Sequence, residues 1–405
     1  MRAVKGIIIG FAALSMVATV NAQDSKTEGQ EVEKEGYEFT MVNEVPASSV
    51  KSQYRSGTCW SFSGLSYVES ELMEMGKPEM DLSEMWIVRN AYIEKAKRYV
   101  RMHGTMNFGG GGAINDNFEI MEKYGMVPES VYSGLNYGTK KHIHGELDVL
   151  LKGYVDGVIK NKNRGLSTAW LRGYVGILDA YLGEAPETFE YEGKEYTPKS
   201  FYKEVMEFDY DNYIMFSSYT HHPFYEQFII EVQDNWTWGS VWNVPADEMI
   251  ELIDNALENG YSVAWASDVS EKGFSWKNGV AVVPDVELKD MSGTEKEKWE
   301  KLTAKEKKKS MFSFESPVPE KEITQEMRQK AFDNYKTTDD HGMQLVGIAK
   351  DQNGVKYYKV KNSWGVNDHI YDGYFYASEA FVKFKTMSFM IKKDAVPRNI
   401  KKNLK

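Results

Sequence analysis

The sequence predicts an α+β protein of two packed subdomains with a cleft between them. Helical periods dominate the first part of the chain and strand-like runs the last part. With 405 residues and a single cysteine, the chain can bury a large core and needs no internal disulfide to hold it.

The elements follow in order. Met1–Lys5 is a short positive stretch, Ile7–Val20 is apolar, and Val20-Asn21-Ala22 offers small residues before Gln23. That pattern predicts a signal peptide over residues 1–22 and an exported protein, periplasmic or extracellular. The apolar run is shorter than the ~20 residues a membrane span needs, so no stable membrane insertion is expected. Residues 23–36 are mainly polar and charged and read as a flexible leader. A single large domain over 37–405 follows.

Phe62, Leu65, Leu72 and Met75 recur at helical spacing from Cys59, with Gly76 and Pro78 as stops. Ser83 is positioned to cap a second helix running through Tyr99. The loop Asn107–Gly112 carries four consecutive glycines, and a helix over Ala113–Lys123 is closed by Gly125. Helical periods recur over Leu147–Ile159 and Leu166–Leu182, inside a middle region of about residues 139–242 with no site-like cluster. Asp247–Asn259 is amphipathic, and Tyr261–Ala266 reads as a strand. Glu287–Ser310 is highly charged, a surface helix or loop. Strand-like runs close the chain at Gln344–Ala349, Val355–Asn362, Gly373–Tyr376 and Thr386–Ile391.

The formal charge of −11 argues against nucleic acid as a partner, which calls for a basic face. The basic runs Lys305–Lys309 and Arg398–Lys405 read as a solvated face and a tail. No metal or other cofactor is assigned. His221-His222 are expected to point apart in helix or strand, His142 and His144 have no third ligand in view, and the glycine run lacks the Lys-Ser or Lys-Thr of a phosphate loop.

Cys59 is therefore a buried inert thiol, an intermolecular crosslink or a nucleophile. Gly57 before it and a helix after it place the sulfur at a positive helix end, where a thiolate is stabilised. Four pieces then align. Gln53 lies six residues before Cys59, His341 precedes a predicted strand, and Asn362 ends the next one. A thiol nucleophile needs an imidazole to move its proton, a group to orient that imidazole, and donors for an oxyanion.

The pattern Gln-x5-Cys-Trp, a later Asp-His and Asn362-Ser363-Trp364-Gly365 resembles the papain-like cysteine peptidases. Ser56–Ser63, Gly111-Gly112 with Glu122-Lys123-Tyr124-Gly125, Gly260–Trp265 leading to Asp268-Val269, and Lys361–Gly365 are similar to the bleomycin hydrolase and aminopeptidase C branch. The resemblance implies a helical left part, a β-rich right part, a cleft between them and a helical insertion in the middle. It implies that Cys59 is the nucleophile, His341 the general base and acid, Asn362 its orienter and Gln53 part of the oxyanion hole. Trp364 would shield the His341–Asn362 pair, and Gly111 and Gly112 would lie along an extended peptide. Asp340 adjoins His341 without an assigned role.

The implied reaction is hydrolysis of a peptide or protein substrate, with aminopeptidase action and a homo-oligomer, a hexamer, as family features. In that branch a C-terminal arm enters the cleft and holds the substrate's free amine. Here the family's proline-containing, alanine-rich ending is replaced by the basic Arg398–Lys405, which bears on exopeptidase against endopeptidase action. Competing readings are a non-hydrolytic peptide-binding protein and an acyltransferase using the same acyl-enzyme.

Overall fold

Apolar residues at three- and four-residue spacing turn the first half of the chain into helices. The computed structural model describes residues 36–162, 164–285 and 301–404. The expected signal peptide, most of the leader and much of the charged Glu287–Ser310 stretch lie outside the described residues.

Strand β1 (Phe39–Glu44) comes first, followed by helices α1 (Cys59–Glu74), α2 (Glu84–Arg101), α3 (Ile114–Tyr124), α4 (Gly145–Ile159) and α5 (Ala169–Leu182). Ser83 caps α2 as its spacing predicts, its Oγ accepting the Trp86 N–H at 3.0 Å. A hairpin of β2 (Phe189–Tyr191) and β3 (Lys194–Tyr196) leads to the short helix α6 (Pro198–Phe201). Strands β4 (Tyr213–Ser217), β5 (Gln227–Ile229) and β6 (Ser240–Asn243) precede helix α7 (Ala246–Glu258). Then come β7 (Val263–Ser267), β8 (Phe274–Ser275), β9 (Val280–Ala281), α8 (Ala304–Met311) and α9 (Gln325–Asp333). The end of the chain is β10 (His341–Asp351), β11 (Lys356–Lys361), β12 (Tyr374–Ser378), α10 (Glu379–Lys385), β13 (Thr386–Lys392) and α11 (Arg398–Lys401).

The main sheet runs β5-β6-β4-β13-β7-β10-β11-β12-β9-β8, with β1 added to β10. The middle region therefore supplies more than helices: β4, β5 and β6 extend the main sheet. These strands are only three to five residues long. They lie in an aromatic-rich stretch where alternation is too short to stand out.

Two apolar cores match the two subdomains. One gathers the helical residues Leu65, Tyr92, Phe118, Leu151 and Leu178. The other joins Leu252 of α7 to Trp265, Val360 and Phe389 of the sheet. Ile400 of α11 is buried in this second core, and Asn399 Nδ2 donates to Glu251 Oε1 at 3.0 Å. The basic tail thus packs on α7.

Helix α1 meets β10 through buried polar contacts that align the two subdomains. Gln344 is completely buried. Its Oε1 accepts from Ser66 Oγ at 2.6 Å, and its Nε2 donates to Ser70 Oγ at 2.8 Å and Ser262 Oγ at 3.0 Å. Lys361 Nζ donates to Ser66 Oγ at 2.6 Å and Ser48 Oγ at 2.9 Å. Burial pushes that amine down to about 8. Leucine at position 344 would strip the Ser70 and Ser262 hydroxyls of this partner. Gln344→Leu is expected to cost about 2–4 kcal/mol of stability, read as a lower urea midpoint at unchanged slope.

Candidate active site

Cys59 is the first residue of α1, directly after Gly57 at φ +67° and the cap residue Thr58. The positive φ gives the tight entry that glycine tolerates best. The backbone N–H groups of Gly342 and Trp60 lie near the Cys59 sulfur and favour its thiolate. Gly342 matters for placement, because it is the neighbour of His341 and packs directly on the start of α1. A side chain at 342 would meet Ser63 Oγ at 2.5 Å and Trp60 Cα at 3.3 Å. Only glycine lets the start of β10 press this closely on the start of α1.

Sheet register gathers the remaining groups. In the β10–β11 pair, Gln344 opposes Lys361. Continuing that antiparallel register past the end of β11 brings 362–364 beside 341–343. The Asn362 Oδ1 accepts from His341 Nε2 at 2.7 Å and from the Ser363 N–H at 2.7 Å. Two N–H donors on one atom identify it as the amide oxygen. An oxygen can only accept, so the imidazole proton sits on Nε2 and the lone pair on Nδ1. The Trp364 ring covers His341 with centroids 4.9 Å apart, and Trp276 backs Trp364 edge-on at 5.1 Å.

Gln53 is buried, and its placement depends on Ser363. Its Oε1 accepts from Ser363 Oγ at 2.7 Å, and its backbone N–H donates to the Ser363 carbonyl at 2.8 Å. Among the described residues no acceptor engages its Nε2 amide, which keeps its donors for a ligand. The preceding loop is pinned by Lys51, whose Nζ reaches Glu69 at 3.0 Å and Glu84 at 2.8 Å.

Cys59 and His341 line one narrow cavity of about 30 Å³, together with Trp60, Gly112, Asp234 and Asp339. Burial pushes the Cys59 thiol up to about 11, with the Asp339 and Asp234 charges adding to it and the two backbone donors opposing it. Burial pushes the His341 imidazole down to about 4, against the Asn362 hydrogen bond and the Asp340 charge. Both directions favour the neutral forms taken one at a time. Moving the proton from sulfur to ring leaves the net charge unchanged and creates two opposite charges that attract, with the α1 dipole helping the thiolate.

Gly111 and Gly112 sit opposite, in a loop whose carbonyls are held by Trp60 Nε1 on Gly110 at 2.8 Å and by Lys95 Nζ on Gly109 at 3.0 Å and on Gly111. A Cβ at 112 would lie 2.8 Å from Trp60 Cε2, and one at 111 would collide with the Asp234 carboxylate. Both positions need the bare backbone for close approach. Asp340 also lines the cavity of Cys59 and His341, and its carboxylate accepts from the Ser270 N–H at 3.1 Å and Thr338 Oγ1 at 2.7 Å.

Two expectations are corrected. The middle region does contain a site-like cluster. Its 230–239 loop carries Asp234 to the cavity that Cys59 and His341 line, and Asn235 staples that loop by donating to the Ile230 and Gly239 carbonyls at 3.1 and 2.9 Å. No motif in the sequence marks it. The second correction concerns His221 and His222, which do not diverge. They lie in a turn, outside helix or strand, and both Nε2 atoms are 3.0 Å from the Glu231 carboxylate, which answers both rings. His142 and His144 are buried, with their imidazoles pushed down to about 4 by that burial. The strip around them braces the Gln53 loop: Arg55 N–H donates to the His142 carbonyl, and His144 N–H to the Arg55 carbonyl. Sequence reading also passed over Ser363 as the group that holds Gln53, although it stands inside the Asn-Ser-Trp-Gly motif.

Comparison with known proteins gives the chain its family. The profile of the Peptidase C1-like family matches residues 10–315 and 310–405. The chain belongs to the Peptidase C1-like family. It is a cysteine-type peptidase. Among curated relatives of this family member, Aminopeptidase C of Listeria monocytogenes is 24% identical, over 88% of this chain and 83% of the relative. Aminopeptidase C of Lactobacillus helveticus is also 24% identical, over 89% and 82%. The crystal structure of PepW from Lactobacillus rhamnosis HN001 shares the fold, with a TM-score of 0.66 at 20% identity, covering 90% of this chain and 84% of that one.

Proposed function

We propose that this family member hydrolyses peptide bonds through an acyl-enzyme on Cys59. His341 takes the thiol proton at Nδ1 as sulfur attacks the scissile carbonyl carbon. The C–N bond then breaks, and His341 returns the proton to the departing amine. Asn362 holds the imidazole tautomer, and Trp364 keeps water from that hydrogen bond. The Gln53 Nε2 and the Cys59 N–H receive the oxyanion. Water, activated by the same imidazole, attacks the thioester and releases the acyl product. The observation that carries this reading is that Cys59 and His341 line one narrow cavity, with the imidazole fixed by Asn362. The relatives named Aminopeptidase C support action at free N-termini. The positive, apolar and small-residue order of residues 1–22 supports export.

The pH profile of peptide hydrolysis under reducing conditions tests the pair. The thiol–imidazole and thiolate–imidazolium forms hold the same number of protons, so both are active over one window. A second proton disables the base, and activity falls as pH drops through about 4. Loss of the last proton leaves none for the leaving amine, and activity falls as pH rises toward about 11. Burial moves both limits outward from the ordinary ~6.5 and ~8.5. The expected kcat/KM profile is a broad plateau with its acid half-point below pH 5. An acid half-point at or above the ordinary imidazole value rejects the buried pair. Tight peptide binding with no turnover anywhere in the window rejects hydrolysis itself.

A further inference from the structure

His221, His222 and Glu231 converge away from the cavity that Cys59 and His341 line. Among the described residues they are the one group of three His, Cys, Asp or Glu side chains whose donor atoms all lie within 4.8 Å of one another. Glu231 Oε2 stands 3.0 Å from His221 Nε2, and Oε1 stands 3.0 Å from His222 Nε2. The group draws on two separate stretches, the 220–222 turn and the start of the 230–239 loop. The completely buried Asn243 fixes the turn. Its Nδ2 donates to the Tyr219 and His222 carbonyls at 2.7 and 2.9 Å, and its Oδ1 accepts the Tyr219 N–H at 2.9 Å. The His221 ring stacks on Phe332 of α9 with centroids 5.6 Å apart, and the His222 ring stacks on Phe228 of β5 at 4.6 Å. Both imidazoles are therefore held in place before any ligand arrives.

Two imidazoles and one carboxylate are a donor set that zinc takes with an open fourth position. Two nitrogen donors disfavour calcium and magnesium, which prefer oxygen. Zinc holds such ligands at about 2.0–2.2 Å, so small side-chain rotations bring the three atoms onto one ion. The His221, His222 and Glu231 side chains are 29%, 34% and 58% exposed, so an ion reaches them from solvent and water can complete its shell. Metal at Nε2 requires the ring proton on Nδ1. For His221 an acceptor stands ready. Gln329 Oε1 lies 3.4 Å from Nδ1 and is itself oriented by accepting the Thr220 N–H at 2.6 Å. Gln329 Nε2 lies 3.0 Å from the same ring atom and donates to Asp333 Oδ1 at 2.8 Å. This one amide serves either tautomer of the ring, the outer support that a metal-bound histidine uses.

We propose that His221, His222 and Glu231 bind a zinc-class divalent ion that fastens the 230–239 loop to the 220–222 turn. The site requires neither Cys59 nor His341. Glu231 stands between Ile230 and Val232, which line the cavity of Cys59 and His341. An ion on Glu231 holds that wall of the cavity from outside.

The test uses the untagged full chain carrying Cys59→Ala, because a free thiol also binds zinc. Calorimetric titration with zinc is expected to give one ion per chain. Glu231→Gln, and His221→Ala combined with His222→Ala, are each expected to weaken binding at least about tenfold. X-ray absorption of the complex at one equivalent is expected to show two imidazoles on the ion. Hydrogen exchange within residues 230–239 is expected to slow about tenfold on adding zinc, and to stay unchanged in the variants. No zinc bound, fewer than two imidazoles on the ion, or affinity unmoved in variants with the parent's melting temperature overturns the site. Binding at these three residues with unchanged exchange in the loop overturns the fastening. Where a variant fails to fold, the absorption spectrum of the parent decides alone.

Discussion

Cys59→Ala is expected to lower kcat at least about 10,000-fold. The substitution removes the sulfur on which the proposed acyl-enzyme forms, and the sequence holds no second cysteine to replace it. Serine at this position is expected to fail similarly, because an alkoxide is much harder to generate than a thiolate with the same imidazole. The structural cost is small. Cys59 is half-buried and unbridged, and the variant loses a single sulfur atom. The urea midpoint should therefore shift by no more than about 1 kcal/mol equivalent. Steady-state hydrolysis and an unfolding curve on the same preparation check both halves. Retained turnover in a folded Cys59→Ala protein would remove the nucleophile from the mechanism.

The second large effect is expected at Gln53. Gln53→Ala deletes the proposed side-chain donor for the oxyanion and leaves the backbone donor in place. A loss of about 100- to 1,000-fold in kcat follows, with KM changed much less, because the charge exists only during reaction. Ser363→Ala provides a graded companion. It keeps Gln53 but releases its Oε1, so the amide is free to rotate away. About a tenfold loss is expected there, smaller than for Gln53→Ala since the amide still samples the productive orientation. Equal losses in kcat and 1/KM for Gln53→Ala would instead indicate a ground-state binding role.

Much of this molecule was legible residue by residue. The start of α1 follows from Gly57 and the apolar spacing after Cys59, and the α2 cap from Ser83. The late strands follow from their β-branched and aromatic runs. The candidate catalytic set was visible because each residue type stood in a short motif with its own chemistry. Other features left no local mark. Strand β1 and strands β4 to β6 are short and are stabilised by neighbours far along the chain, such as Gly347 beside Glu44 and Phe216 beside Phe389. Asp234 and His221-His222 belong to loops, where side-chain direction depends on turns and not on a period. Their neighbours, Gly111 and Glu231, are set by packing.

The sequence by itself determined the chemistry available: one thiol at a helix start, an imidazole opening a strand, an amide ending the next strand, and an acidic chain. Only the tertiary structure decided which of these groups meet, and that Asp234, Asp339 and Asp340 line the same cavity. The reason is physical. Propensity and periodicity act over a few residues, whereas the Cys59 to His341 approach depends on sheet register, on the bare backbone of Gly342 and on the buried Gln344 contacts that lock one subdomain against the other.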